Sequence, residues 1–503
     1  MGASNKQVIV GSVVVVALAI SIAYMSITKP VDKEAITEEV PEVFVFNETI
    51  NKMLSSKANY DYGNDDVSIP PTCKIIHTET VQRHGARHLN KESKINKIIS
   101  FFEELQANGT LKSDLPLQWS RNLLEKERNS TGSICKTGKF EIRGIAQRLR
   151  NRIHLDEIKE GDIIVENTYK KRTHQTRDAF LEALLPHDYP QEQIHYINYT
   201  KCEDVFDSEG HVNPEAFDKY SSLRFFSICP KYSEYKATPE LIGAVEESFF
   251  YNPDIDLISG NNRIWDEVMN SPKDVSTEIK VQALRNLYLM CQFEQASCYN
   301  DYEHSCELLL REPKILSELD YDDDMRLYTF KGEGNPLNWR MACPLARSLL
   351  RGIGANYLAH VPEGEKKEAF IATYGEYFDF DREPISRIHL RFGHAESILP
   401  LYFLFIMKPP RLQRNRMRFS GNDFIPMSAN FQLDLVECDG EYYVHFLANE
   451  VPIRLDMPPL NDTTLFKASD LISQWVDILK ANEMENCLYD DWKGICGEPA
   501  CNI

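Results

Sequence analysis

The chain has 503 residues, of which 43% are hydrophobic, 26% charged and 11% aromatic. That composition excludes a disordered chain and leaves room for one large α/β core carrying a substantial insertion. A net charge of -20 repels nucleic acid and acidic membrane surfaces, so neither is an expected partner. A small polyanion meets the same repulsion unless arginines converge locally.

Val8 to Ile27 is an almost unbroken apolar run of about bilayer-spanning length. With Lys6 before it and Lys29 and Lys33 after it, residues 1–28 read either as a cleaved signal peptide or as a retained signal-anchor. Entry into the secretory pathway agrees with two further features. Asn47, Asn108, Asn129, Asn198 and Asn461 each open an Asn-x-Thr glycan acceptor. The 12 cysteines are even in number and mostly far apart, as structural disulfides would be, and none has zinc-site spacing. The expected location is therefore secreted, ER-lumenal or membrane-anchored with the folded part outside the cytosol. Cys501-Asn502-Ile503 is no ER retrieval signal.

Residues 29–68 are rich in Glu, Asp, Asn and Pro and read as a stalk. Lys74 to Val81 then alternates as a buried strand does, ending at Arg83. After Arg83-His84-Gly85-Ala86-Arg87, Ser93 opens a helix carried by Ile95, Ile98, Ile99, Phe102 and Leu105 and stopped by Asn108-Gly109. A second helix runs from Thr137 to Arg152, with Phe140, Ile142, Ile145 and Leu149 on its apolar side. A strand over Asp162 to Asn167 and a helix over Arg172 to Leu185 make a second strand-to-helix junction near Thr168.

From residue 191 to 378 the strand signal fades. Helical stretches such as Ser276 to Cys291, Tyr302 to Leu310 and Pro344 to Leu358 predict a helical domain inserted between core segments 69–190 and 379–486. The acidic run Asp320 to Asp324 lacks the Gly and distal Glu of a calcium loop and reads as solvated surface. Arg387 to Phe392 is again a strand, and Gly393-His394-Ala395-Glu396-Ser397 opens an apolar helix from Ile398 to Met407, ended by Pro409-Pro410. Leu433 to Glu437 and Tyr442 to Leu447 read as an edge hairpin through Asp439-Gly440. In the tail, 487–503, Cys487, Cys496 and Cys501 are close enough for a small disulfide loop.

A phosphomonoester presents three nonbridging oxygens, which guanidinium forks match with paired donors. Arg83 and Arg87 flank His84, so the imidazole could attack phosphorus and form a phosphohistidine while the arginines hold the charge. The leaving alkoxide needs a proton, and Glu396, at a helix start beside His394, is placed to give it. For that role Glu396 must be protonated with substrate bound, which predicts better activity at mildly acidic pH.

Arg83-His84-Gly85-x-Arg87 early and His394-Ala395-Glu396 late resemble the histidine acid phosphatases, branch two of the histidine phosphatase superfamily. The resemblance runs from about Lys74 to Leu455. Val165-Glu166-Asn167-Thr168, with Arg172 and Ala179-Phe180, is similar to the family's middle motif. By position it implies His84 as nucleophile, Arg83, Arg87, Arg172 and His394 as phosphate ligands and Glu396 as proton donor, with no metal and no cofactor. The His-Ala-Glu form, where His-Asp is commoner, is similar to the family's inositol polyphosphate phosphatases. It implies inositol polyphosphates such as inositol hexakisphosphate as substrates, with 2,3-bisphosphoglycerate as a further candidate. Leu89, Glu166 and Asn167 depart from the family pattern, so the resemblance speaks for the chemistry more than for loop shape and substrate fit. The fold class is α/β, a three-layer α/β sandwich core with an inserted, mainly α-helical domain. A broad-specificity acid phosphatase and a non-catalytic phosphate-ligand binding protein are the competing readings. Lys170, Lys171 and His174 could add phosphate contacts, although a solvated helix face accounts for them; oligomeric state is not legible.

Overall fold

The structure is a computed structural model. It describes residues 48–501 apart from 61–66, 154, 156–157, 199–200, 208, 210, 251–262, 297–304, 376–384, 407–418, 456, 461–462 and 485–488. Val8 to Ile27, Asn47, Asn461 and Pro409-Pro410 lie outside the described residues, and so does Met407 at the expected helix end. Among the described residues no helix is long and apolar enough to cross a membrane.

An eight-stranded sheet forms the centre. Its strands are β1 (Cys73–Arg83), β2 (Ile163–Asn167), β3 (Ile194–Asn198), β4 (Ile388–Gly393), β5 (Asn430–Cys438), β6 (Glu441–Ala448), β7 (Val451–Pro452) and β8 (Leu465–Lys467). The order is β3-β2-β4-β1-β5-β6-β7, with β8 also paired to β6. The four strands from β3 to β1 are parallel, whereas β5 and β6 continue antiparallel. β4 thus sits between β1 and β2 although more than two hundred residues separate it from either in sequence.

Helices cover both faces. On one, α2 (Lys136–Arg152) and α3 (Lys171–Leu184) bury Ile142, Ile145, Leu149 and Phe180 against Ile163, Val165, Leu390 and Phe392. Phe140, expected on that apolar side, is instead half exposed, because the helix buries its 142–145–149 stripe and 140 falls outside it. On the other face, Leu349 and Ile353 of α8 (Cys343–His360), Leu401 of α9 (Ala395–Phe405) and Trp475 of α10 (Ala468–Ala481) pack on Val81, Leu433 and Phe446. A second core joins α1 (Ser93–Ala107) to α6 (Thr277–Ala296) and α7 (Pro313–Lys331), through Phe102, Leu105, Leu284, Leu287 and Leu316. The molecule is an α/β core with a mainly helical domain.

Several sequence expectations need correction. β3 lies inside the stretch expected to be helical; five residues at a sheet edge leave little periodic signal. Asp320 to Asp324 is not a solvated run. It lies within α7, where Asp322 accepts two 2.9 Å hydrogen bonds from Arg285, Asp320 accepts from Ser55 N (2.8 Å) and Asp324 from Gly421 N (2.8 Å). The late hairpin is not an edge either, since β5 pairs with β1 and β6 with both β7 and β8. Its turn is as expected, Asp439 and Gly440 both having positive φ (52° and 82°). Residues 48–60, within the presumed stalk, fold against the core with Leu54, Ala58 and Tyr60 buried. Of the tail cysteines, Cys487 lies outside the described residues and the other two close no local loop. Cys496 bonds Cys229 and Cys501 bonds Cys202, beside Cys73–Cys438 and Cys291–Cys306.

Beneath the strand ends a buried ionic network spans three strands. Glu79 on β1 pairs with Arg391 on β4 and, at 2.9 Å, with His77. His389 joins Arg391 (3.0 Å) to Glu166 on β2 (2.7 Å). Such a charge cluster is tolerated inside only when each member has its partners. α8 covers it, and Gly352 leaves the space that the Glu79 carboxylate fills; a Cβ there would overlap it. Because Glu79 is held by Arg391 and His77, Gly352→Ala should destabilise the fold by about 1–3 kcal/mol. The measurement is the urea midpoint, which falls while the slope stays unchanged.

Candidate active site

Three adjacent parallel strands end level, and the segments leaving them build the site. Arg83 stands opposite Gly393 and Asn167 opposite Phe392, so His84, Thr168 and His394 emerge side by side at carboxyl ends.

The Arg83–Arg87 loop is fixed through its backbone. Gly85 N donates to Thr176 Oγ1 of α3 (3.2 Å), and Cys135 N, just before α2, donates to Ala86 O (2.9 Å). Gly85 and Gly138 let two backbones meet: a Cβ on Gly85 would lie 2.7 Å from the Gly138 oxygen, and one on Gly138 would strike the Ala86 carbonyl. Beneath the loop, buried Glu141 accepts from Tyr60 N (2.8 Å), Ala86 N (3.4 Å) and Ser428 Oγ (2.6 Å). Burial pushes its carboxyl up to about 7, against the pull of these donors.

The arginines are held by one end and open at the other. Arg83 Nη1 donates to the carbonyls of Ser56 (2.7 Å), Ile425 and Pro426 (2.8 Å), and Arg87 Nη1 to His88 O (2.8 Å). Arg172, on α3, reaches His394 Nδ1 through Nη2 at 3.2 Å. The Nε of all three is buried without a hydrogen-bond partner. A buried unsatisfied donor is costly, and three around one histidine describe a seat for an anion. Burial first, then the neighbouring cations, pushes Arg172 down to about 9 and Arg87 to about 10.

His84 Nδ1 lies 3.0 Å from Gly85 O. A carbonyl only accepts, so Nδ1 carries the proton and Nε2 keeps its lone pair. Burial, followed by Arg172, Arg87, Arg83 and His394, holds the imidazole well below its ordinary pKa. It therefore stays neutral and nucleophilic in mildly acidic solution. His394, with its ring centroid 5.7 Å from that of His84, meets Arg172 at Nδ1 and both Arg224 Nη1 (3.0 Å) and Thr168 Oγ1 (3.1 Å) at Nε2. A neutral imidazole accepts at only one nitrogen, so it cannot satisfy both guanidiniums. Glu396, in the first turn of α9, pairs with Lys331 Nζ at 2.8 Å. Burial raises its carboxyl, but Lys331, the backbone N–H and Lys236 together hold it below the ordinary carboxylate range.

The structure thus brings together all six residues singled out in the sequence: Arg83, His84, Arg87, Arg172, His394 and Glu396. Two more belong there. Arg224, ending α4 (Pro214–Arg224) and lying 5.1 Å over the Tyr169 ring, has no motif around it. Lys331 closes a helix whose sequence resembles any other amphipathic one. Glu166, where the chain departs from the family's middle motif, is tied to His389. Lys171 is exposed, whereas His174 faces Asn167 at 3.2 Å.

The profile of the histidine phosphatase superfamily (branch 2) matches residues 74–449. The chain belongs to that family. It is a histidine acid phosphatase by class. It is similar to multiple inositol polyphosphate phosphatase 1 of Homo sapiens, 23% identical over 461 residues that cover 86% of this chain and 85% of that protein. A thiamine-repressible acid phosphatase of Schizosaccharomyces pombe is 21% identical over 442 residues, covering 82% and 83%. Among solved structures, the Bifidobacterium longum multiple inositol polyphosphate phosphatase in complex with inositol hexasulfate matches with a TM-score of 0.60 at 17% identity, over 84% of this chain and 97% of that one. A phytase from D. castellii matches at 0.55 and 14%, over 94% of each. These likenesses show the shared fold.

If the orphaned guanidinium donors await an anion, inorganic phosphate should raise the thermal midpoint in proportion to the logarithm of its concentration above Kd. Arg172→Gln should abolish most of that rise without lowering the midpoint of the unliganded protein, since it also removes a like-charge neighbour. Thermal unfolding with and without phosphate checks both.

Proposed function

We propose that the protein hydrolyses phosphomonoesters of inositol polyphosphates such as inositol hexakisphosphate, through a covalent phosphohistidine on His84. The observation carrying this is the set of three orphaned arginine Nε donors around a neutral His84 whose Nε2 lone pair is free. Arg83, Arg87, Arg172 and His394 bind the three nonbridging oxygens. Nε2 of His84 attacks phosphorus, the P–O bond to the alcohol breaks, and Glu396 gives its proton to the departing oxygen. Glu396, now a carboxylate, takes a proton from water as that water attacks the phosphohistidine, releasing inorganic phosphate and restoring both groups.

The reading goes past a single phosphate because of the lysines outside the arginine seat. Lys57 is pushed down to about 8 by burial first, with Asp323, 3.8 Å away, pulling it back up and Lys331, Arg83 and Lys94 lowering it further. Lys94 is lowered by burial, Arg87 and Lys331. So these lysines feel one another and the arginines, against a single facing carboxylate, Asp323, in a chain whose net charge is -20. A simple monoester has no use for them, whereas a polyphosphate does. The disulfides and the family support a place in the secretory pathway, and the exposed Asn108 and Asn129 are accessible to glycosylation.

Phosphate release from inositol hexakisphosphate and from p-nitrophenyl phosphate is the primary comparison. A higher kcat/KM for the first supports the reading, an equal or lower one favours a broad acid phosphatase, and no release from either leaves a binding protein. His84→Ala should lower turnover of both by more than about 10³-fold. Glu396→Gln should slow the inositol ester by about 10²–10⁴-fold and the activated p-nitrophenyl ester far less, because that leaving group needs no proton. Equal slowing of both would remove Glu396 from the donor role. With Glu396 needed in its acid form, kcat should fall as pH rises above the mildly acidic range.

A further inference from the structure

The acid that this mechanism needs is an ion-paired carboxylate in the unliganded protein. Lys331, the last residue of α7, stands 2.8 Å from Glu396 Oε1, and the two side chains keep 32% and 24% of their exposure. Its position is built. Tyr232 OH donates to Phe330 O (2.8 Å), and Tyr235 OH donates to Thr329 O (3.0 Å), both from α5 (Pro230–Ala237). Asn338 Nδ2 donates to Thr329 O (3.0 Å) and to Gly332 O (2.8 Å). A Cβ on Gly332 would come within 3.1 Å of the Phe403 ring of α9, so the helix end that carries the lysine is docked on the helix that carries the acid.

We propose that Lys331 is a specificity-determining lock on Glu396, holding it as a carboxylate until a second phosphate of a polyphosphorylated substrate takes the ammonium for itself. The inference rests on the reading of Glu396 as proton donor. Facing Glu396 are Lys331, Lys236 and Tyr232 from the helical domain and, from the phosphate seat, Arg83, Arg87 and Arg172. The phosphoryl group undergoing transfer neutralises the arginines. Lys236 already lies 4.3 Å over the Tyr232 ring, so Lys331 is the counter-charge that another phosphate must remove. Once it is removed, Glu396 faces anions and takes one proton, from solvent or from a phosphate monoanion. It passes that proton to the alkoxide oxygen as the N–P bond forms and the P–O bond breaks. A simple alkyl monoester fills the arginine seat alone and leaves the lock closed.

The test compares wild type, Lys331→Met and Lys331→Arg on β-glycerophosphate and inositol hexakisphosphate across pH. Lys331→Met should raise kcat/KM for β-glycerophosphate and move its alkaline limb to higher pH, by roughly tenfold in rate at fixed pH for each unit that the Glu396 pKa rises. The same change should lower kcat/KM for inositol hexakisphosphate. Lys331→Arg, which keeps the pair, should retain the wild-type ratio and pH profile. A Lys331→Met enzyme with the wild-type substrate ratio and alkaline limb overturns the lock, and so does one that loses both activities in equal proportion with the limb unmoved. If wild type releases nothing from inositol hexakisphosphate but hydrolyses β-glycerophosphate, the inositol reading fails. The limb shift on β-glycerophosphate then still decides whether Lys331 restrains Glu396.

Discussion

Positive charge gathered in a buried place, with no protein anion to cancel it fully, is the constraint on which the structure depends. Arg83, Arg87, Arg172 and Arg224 converge on two imidazoles; Arg83 and Arg87 are held from behind by backbone carbonyls, whereas Arg172 and Arg224 both lean on His394. Arg83 leans on three carbonyls, two of them from the 425–426 segment and one from residue 56. This explains why chain segments remote from the motifs are folded against the strand ends: they supply the acceptors that let the arginines stay inside. Burial, reinforced by these cations, holds both imidazoles well below their ordinary pKa. Protonating either would add another charge to a site already short of anions.

The scaffold below must resist that repulsion, and it does so with opposite charges rather than with grease. Glu79, Arg391, His389 and Glu166 cross-link β1, β4 and β2 immediately under the residues that emerge from those strands. Removing one member would leave its partner buried and uncompensated. The strand ends are thereby held in register, and the distance between His84 and His394 is set by sheet geometry rather than by loop conformation. The glycine pair at 85 and 138 adds a contact between backbones, which cannot relax through a change of rotamer.

What the sequence made legible follows from where function is written. His84 directly follows a strand end, and Glu396 and Arg172 lie three and five residues past theirs, so alternation giving way to helical period marked their positions before any contact was known. Arg224 and Lys331 are as close to the chemistry but come from helix ends in a region whose local pattern says only that a helix is amphipathic. What brings them to the site is where their helices dock, for Lys331 through Tyr232, Tyr235 and Asn338, and that is tertiary information. The acidic run at 320–324 misled for the same reason. Charge density normally signals solvent, yet here Arg285, Ser55 and Gly421 supply partners drawn from distant segments. The cysteines of the tail carried no sign of reaching back to Cys202 and Cys229.

β4 fills the slot between β1 and β2, and this has a consequence for how the protein is made. During synthesis the segments bearing His84 and Arg172 leave the ribosome long before residues 388–394, and until then β1 and β2 have no strand to join them. A nascent chain therefore holds His84, Arg87 and Arg172 without His394 and Glu396, the residues that complete the cluster. The full cluster cannot assemble until nearly four-fifths of the polypeptide has been made, and any fragment ending earlier lacks β4 together with His394 and Glu396. The order of the strands thus makes assembly of the site a late event in synthesis.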